Sequence, residues 1–427
     1  MNTLLLLGLF FLFVVLKVPV AFSLILSSVI GCYLLDLAPL TAIAGSALNS
    51  LFSYPLLAIP YYIFAGAIMT RGGISKKLCD WISTVFDRFT GGLGMVTVVA
   101  CAFFAAISGS ATATTASIGS MMVPEMEKQG YRKSYALAIS AAGGVLGPMI
   151  PPSIMLVLYG VATETSIGSL FLAGFLPGVF LAIFLCGAVY MTAKKEGLSA
   201  TLGGRFSLTD FGSTMWKAKW GILIPVIILG GIYGGIFTPT EAGAVCCIYA
   251  IIVSLFIEHT LDLKGLIACA GEAAVVSSTI FILIASAGIF GKVLTLAQVP
   301  QQMSDAILAV ADNKAVVLIL INIFLLLVGC VMDGGAALVI LAPLLWPVVQ
   351  AFGVDPIHFG VIICLNLSIG AVTPPVGSCL FAASIIGETR LERICRDIIP
   401  FLIAEVAVLL IVIFVPQISL MLVHMAG

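Results

Sequence analysis

Apolar stretches of about 20 residues follow one another almost from end to end of this chain. A hydrocarbon core about 30 Å thick needs roughly that many apolar residues per helix, so the arrangement predicts a polytopic helical membrane protein. Composition agrees: of 427 residues 61% are apolar and 9% charged, whereas soluble domains carry roughly 45–50% and about 25%. The 19 basic residues nearly balance the 20 acidic ones, which leaves no basic surface for nucleic acid and no acidic tail. Met1 to Leu35 has no basic amino-terminal region and no clear small-residue cleavage site, and its apolar run is too long for a signal peptide. It reads as a retained membrane segment broken around Lys17-Val18-Pro19. The 11 cysteines include one adjacent pair, Cys246-Cys247, and no CxxC spacing, so they read as packing residues.

The scarce charges are distributed unequally. Polar segments at 71–90, 124–134, 192–219, 258–265 and 388–397 hold 16 of the 19 basic side chains, and the positive-inside rule places all five in the cytoplasm. Residues 71–90 and 124–134 then share a face, yet Gly91 to Val123 is too short for two spans. A re-entrant hairpin over 91–123 resolves this, with its tip in the small, hydroxyl-rich run at 105–114. Non-helical backbone at that depth survives only where protein or water covers it. Residues 315–349 behave alike, with a tip at 328–335, but the flanks at 292–314 and 351–358 are poor in Lys and Arg. That hairpin enters from the opposite face.

Displacing the chain against itself by 223 positions superposes Pro124 on Pro347, Pro151-Pro152 on Pro374-Pro375, Pro177 on Pro400 and Gly147 on Gly370. Shared helix breakers at one offset indicate a duplication. Five crossings separate the units, an odd number, so the second is inverted. The expected organisation is an N-terminal membrane segment at 1–37, followed by a first repeat at 38–193 with hairpin 91–123 and broken helix 135–163. A cytoplasmic loop with a connecting helix pair occupies 194–262, and the inverted second repeat, with hairpin 315–349 and broken helix 358–387, occupies 263–427. Residues 1–70 and 220–290 supply much of a scaffold. Inverted repeats with discontinuous helices and a midplane site are the architecture of secondary transporters.

Each hairpin precedes a helix interrupted by Gly and Pro, at 143–153 and at 366–378. Proline removes a donor and clashes with the preceding turn, so both helices unwind. Exposed carbonyls and nearby hydroxyls suit a hard cation such as Na⁺, while half-helix amino ends favour an anionic substrate group. The candidate Na⁺ ligands are Ser108, Ser110, Gly143 and Pro148 in the first repeat, with Gly329, Met332, Asp333, Gly334, Gly370 and Thr373 in the second. The candidate substrate contacts are Ser108, Thr112, Ser153, Asn366, Thr373 and Ser378. Almost nothing titratable lies near the breaks except Asp333, which favours Na⁺ over a proton as coupling ion.

At these breaks the sequence resembles a known family. Ser108-Gly109-Ser110-Ala111-Thr112-Ala113, Gly147-Pro148-Met149-Ile150-Pro151-Pro152-Ser153, Gly235-Ile236-Phe237-Thr238-Pro239-Thr240-Glu241-Ala242 and Thr373-Pro374-Pro375-Val376-Gly377 are similar to the large membrane subunit of tripartite ATP-independent periplasmic (TRAP) transporters. The resemblance covers essentially the whole chain. It implies an elevator-type, ion-transporter-like fold in the bacterial inner membrane, with the N-terminus expected in the cytoplasm. It also implies two partners, a small four-helix membrane subunit on a separate polypeptide and a soluble periplasmic substrate-binding protein. The cargo it implies is an organic acid, of the sialic acid or C4-dicarboxylate class, imported with Na⁺.

Other functions fit less well. An intramembrane protease would need a base near Ser108 or Ser110, but His259 and His358 lie in loops, His424 lies at the end, and Asp333 has no second Asp at membrane depth. An ATP-driven pump would need a GxxxxGK[ST] loop, which is missing. A carboxylate carrier without a binding protein and a channel-like permease share the hairpins; the inverted pair of broken helices favours alternating access over a continuous pore. Thr238-Pro239-Thr240-Glu241 reads as a helix start. Glu405, in the last span, reads as facing a partner helix or capping a scaffold contact rather than carrying protons, and Lys17 as snorkelling to the interface. Residues 74–90 place Leu78, Trp81, Ile82, Val85, Phe86 and Phe89 on one face, the pattern of a helix lying along the cytoplasmic interface, either as an arm joining a moving domain to a scaffold or as a passive anchor.

Overall fold

The computed structural model describes residues 2–198, 207–299, 301–302 and 313–426, and among them every regular element is a helix. Arg205 and residues 303–312 of the polar segment at 292–314 lie outside the described residues. Helices α1 (Asn2–Val15) and α2 (Val20–Leu35) pack side by side, with Lys17 in the turn at φ 61°. At 1.5 Å per residue each is about 21–24 Å long, short of a hydrocarbon core. Helix α3 (Leu40–Leu51) bends by 58° through a 3₁₀ turn at Tyr54–Leu57 into α4 (Ala58–Arg71). Helix α5 (Ile74–Phe86) leads into the first hairpin, α6 (Gly92–Ser108) and α7 (Ala111–Lys128). The first broken helix is α8 (Lys133–Gly144) with α9 (Ile154–Thr163), and α10 (Ile167–Lys195) crosses after it.

Helix α11 (Leu208–Tyr233) starts well inside the segment expected to be loop. Ser207 caps it by accepting a hydrogen bond from Asp210 N–H, and Lys219 lies 3.6 Å over the Trp216 ring, so the basic residues ride on helix rather than on loop. Thr238 and Glu241 close a capping box on α12 (Pro239–Ile252), the helix start that Thr-Pro-Thr-Glu signalled. Helix α13 (Leu263–Leu296) is the longest element. The second hairpin is α14 (Lys314–Gly329) and α15 (Gly334–Ala351), followed by the second broken helix, α16 (Pro356–Gly370) with α17 (Ser378–Gly387). Helices α18 (Leu391–Asp397), α19 (Ile399–Phe414) and α20 (Gln417–Ala426) complete the chain.

The 223-residue offset holds at the level of helix ends. Helix α7 superposes on α15 at both bounds, α8 and α16 begin at equivalent residues, and so do α3 and α13. Helices α9 and α17 start one residue out of step, and both Pro-Pro bonds, 151–152 and 374–375, are cis. With 10 residues each, α9 and α17 are about 15 Å long, half of a hydrocarbon core, so each break lies near mid-depth.

Contacts divide the helices into two groups. Helices α1–α4 pack with α11–α13, while α6–α10 pack with α14–α20. Inside the second group the repeats exchange partners: α7 packs on α17, and α15 packs on α9. Helix α5 lies between the groups, against α11 on one side and α6 on the other. Its Leu78 and Ile82 are buried, and the Trp81 ring meets Phe103 of α6 edge-on at 5.6 Å and Phe211 of α11 at 5.8 Å. The apolar face therefore packs mainly against protein rather than lipid. Lys77 pairs with Glu258 beyond α12, tying α5 to the first group.

Two predictions follow from this packing. At Gly370 an added Cβ would stand 2.6 Å from the Gly329 Cα, and at Gly147 it would stand 2.5 Å from the Ser110 carbonyl oxygen. Both obstacles are backbone and cannot swing away. Gly370→Ala and Gly147→Ala each cost about 1–3 kcal/mol and lower the thermal unfolding midpoint, whereas Gly187→Ala, inside α10 with nothing within 4 Å, does not lower it and raises it slightly through helix propensity. Asp87, at the end of α5, is half-buried with Oδ1 unpartnered, and burial raises its pKa from 3.8 to about 6. Its charge therefore costs stability that grows as pH rises from about 4 to about 6 and is constant above. Asp87→Asn raises the unfolding midpoint fully above pH 6 and only slightly at pH 4; an equal gain at both contradicts the assignment.

Candidate functional site

The first tip turns on Gly109 at φ +60°, between Ser108 and Ser110. Its hydroxyls pair locally, Ser108 Oγ with Thr114 Oγ1 at 2.8 Å and Ser110 Oγ with Thr112 Oγ1 at 3.3 Å. Ser110 also caps α7, accepting from Ala113 N–H. At the equivalent position of the second tip, Asp333 caps α15 by accepting from the Gly335 and Ala336 amides at 3.0 and 3.2 Å. Each tip is bonded to its own repeat's break. Ile154 N–H donates to the Gly109 carbonyl at 3.4 Å, and Gly377 N–H donates to the Cys330 carbonyl at 3.3 Å.

Both tips and both breaks open onto one cavity of about 740 Å³. Ala111, Ile154, Gly334 and Ser378, the first residues of α7, α9, α15 and α17, all line it. Four positive helix ends thus converge on one space. Each favours an anion by about 0.3–1 kcal/mol, more when partly buried. The opposite wall comes from the first group of helices: Gly66, Thr70 and Arg71 of α4, with Glu272, Val275 and Thr279 of α13. Arg71 and Glu272, each about half exposed, mark the cavity's edge at the end of α4 that leads into the basic segment 71–90. A second cavity of about 440 Å³ lies beyond the other end of α4, between Ser53–Pro55 and Thr238–Thr240 of the first group and Gly160–Gly168 of the second. It contains no tip residue.

The sequence-predicted residues divide by placement. Ser108, Ser110, Thr112, Pro148, Asp333, Gly334 and Ser378 line the large cavity; Gly143, Ser153, Gly329, Met332, Asn366, Gly370 and Thr373 do not. Ser153 caps α9, accepting from Leu156 N–H while its hydroxyl donates to the Pro148 carbonyl. Asn366 is fully buried and donates its amide to Asn322 of α14 at 2.7 Å, leaving its own Oδ1 unpartnered. Thr373 donates to the Ile369 carbonyl at 2.7 Å, beside the Cys330 thiol. These three reinforce the breaks from behind. Gly329 and Gly370 bring the carboxyl ends of α14 and α16 into backbone contact, where terminal carbonyls lack helical partners. Glu405 of α19 is fully buried outside the cavity, with neither carboxylate oxygen hydrogen-bonded.

Reading the breaks alone misses the scaffold wall. Arg71 and Glu272 form an ion pair at 3.3 Å on that wall, 201 positions apart in sequence. One signal was present: Glu272 is the single charged residue between Lys264 and Lys292. Among the described residues no three His, Cys, Asp or Glu side chains converge on a metal position.

The geometry has known counterparts. In fold the chain is similar to the YdaH transporter of Alcanivorax borkumensis, with a TM-score of 0.62 over 88% of this chain and 87% of that one at 13% identity. It is also similar to MtrF of Neisseria gonorrhoeae, described among antimetabolite efflux pumps, with a TM-score of 0.61 over 96% and 95% at 14% identity. In sequence it is 41% identical over 97% of its length to the isethionate TRAP transporter permease protein DctMQ of Oleidesulfovibrio alaskensis, of whose length it spans 65%. The C4-dicarboxylate TRAP transporter large permease protein DctM of Pseudomonas aeruginosa is 39% identical over 88% of this chain and 87% of that one. The sialic acid TRAP transporter large permease protein SiaM of Vibrio cholerae is 36% identical over 95% and 94%. Residues 7–418 match the family model described as the tripartite ATP-independent periplasmic transporter, DctM component. The chain belongs to this family, as a large permease subunit of a TRAP transporter.

Proposed function

We propose that this permease subunit imports a small organic anion with Na⁺ across the bacterial inner membrane, by sliding its second helix group against its first. The convergence of four helix amino ends on one cavity carries the reading. Those ends suit a carboxylate or sulfonate, the chemistry common to isethionate, C4-dicarboxylates and sialic acid, the substrates in the relatives' names. Sialic acid has no preference among them, since the SiaM relative is the least similar of the three.

Na⁺ ions would sit on the opposite polarity of the same machinery. Helices α6, α8, α14 and α16 end at the tips and breaks, and their last carbonyls, with Ser108, Ser110 and Thr373, offer neutral oxygens to a hard cation. Binding a cation on the carbonyl side offsets the charge of an anion on the amide side, so the two are moved together. In this reading the exposed Arg71 edge of the large cavity faces the cytoplasm, as the positive-inside rule supports, and the smaller cavity lies beyond the other end of α4. Sliding the second group would carry the tips from one opening toward the other. A small membrane subunit braces the first group and a periplasmic binding protein delivers the substrate, while the N-terminus lies in the cytoplasm.

In liposomes containing the chain, its small subunit and the binding protein, an inward Na⁺ gradient drives uptake of isethionate, succinate or sialic acid, and a pH gradient without Na⁺ does not. Uptake on the pH gradient alone overturns the coupling. Ser110→Ala, Asp333→Ala and Thr373→Ala each raise the Na⁺ concentration for half-maximal uptake; an unaltered Na⁺ dependence in all three variants refutes the ion assignment.

A further inference from the structure

Arg71 is the one Lys, Arg or His among the described residues lining the large cavity. It ends α4, on the wall facing the hairpin tips, and its Nη2 lies 3.3 Å from Glu272 Oε2 of α13. Both side chains are about half exposed, at 46% and 55%. Beyond Glu272 the wall contributed by α13 is largely apolar, with Val275, Val276, Ile280 and Leu283. A charge in so apolar a helix is a burden unless it has work in the cavity.

Two properties of the pair matter. An ion pair this exposed is weakly held and its partners exchange readily. Glu272 engages the guanidinium through one contact, Nη2 to Oε2, whereas the planar fork can bind a carboxylate or a sulfonate in its place at two points. The wall faces the helix ends at the tips across the cavity, and among the described residues lining it Arg71 is the one cation available to an anion that leaves them.

We propose that Arg71 is an anion-receiving subsite on the scaffold wall, which exchanges Glu272 for the carboxylate or sulfonate of the departing substrate. Glu272 then reclaims the guanidinium and displaces the anion into the cytoplasm. Arg71 lowers the barrier to leaving the tips, and Glu272 keeps the subsite from trapping what it receives. The inference rests on the reading of the chain as an organic-anion carrier.

The test uses the complete transporter with isethionate, succinate and sialic acid as probes. Two quantities are measured: the internal probe concentration that half-inhibits uptake into liposomes, and equilibrium binding to the membrane subunits in nanodiscs. Arg71→Gln raises both values about tenfold, Arg71→Lys raises them less, and Glu272→Gln lowers them about threefold. A pair that merely straps α4 to α13 would make Arg71→Gln and Glu272→Gln move the same way, and that result, or no movement in either, overturns the subsite. Normal Na⁺-driven uptake with both shifts absent removes the subsite and leaves the transport reading standing. Opposed binding shifts without uptake of any probe support the subsite and remove the transport reading.

Discussion

Everything in this structure depends on how unwound backbone is kept satisfied at membrane depth. An unpaired amide or carbonyl in hydrocarbon costs several kcal/mol, and the two tips and two breaks expose such groups four times over. They are covered by one another. Each tip bonds to its own break through Gly109 and Ile154 or through Cys330 and Gly377, and each repeat's hairpin packs on the other repeat's half-helix. Neither repeat is complete alone, because the second arm of each hairpin packs both on the broken helix of its own repeat and on the half-helix of the other. The same mutual covering sets four helix ends and small residues beside large apolar side chains such as Phe104, Met155 and Leu158 around the central cavity, where Arg71, Glu272 and Asp333 are the charged residues among the described lining.

Polarity follows from that geometry. Four amino ends, at Ala111, Ile154, Gly334 and Ser378, face the cavity, while carboxyl ends of the partner half-helices meet behind it, closest at Gly329 and Gly370. A single chain fold thus separates an anion-favouring surface from a cation-favouring one by a few residues, with little titratable chemistry between them. Side chains adjust this backbone field. Ser110, Ser153 and Asp333 each cap a half-helix, and Asp333 adds a negative charge at the cavity edge, the one place where the anion-favouring side is tempered.

Much of this was legible in the primary structure because it is written in helix breakers. The Gly and Pro runs at 143–153 and 366–378 mark the breaks, and the constant offset of 223 that superposes the prolines also relates the bounds of α7 and α15. Charge asymmetry located the hairpins for the same local reason. Which hydroxyls face the cavity was not legible, since Ser153 and Ser110 look alike in sequence and differ only in which carbonyls lie within reach once α9 is bent back. Nor was the start of α11, because a cap at Ser207 decides it more than the basic residues do. The scaffold wall is the clearest omission: the partners Arg71 and Glu272 meet only through tertiary packing of α4 on α13.

The central claim, that the hairpin-and-break group slides against α1–α4 and α11–α13, is tested most directly by distances between spin labels measured by pulsed electron resonance. One label replaces Glu164, at the outer end of the second group, and the other replaces Ile236, in the outer turn between α11 and α12; both positions are exposed. A control pair, Ile236 and Leu48, lies within the first group. The account predicts two populated distances for Glu164–Ile236 whose proportions change on adding Na⁺ and substrate, with a single constant distance for the control. One unchanging distance for both pairs under all conditions would contradict sliding.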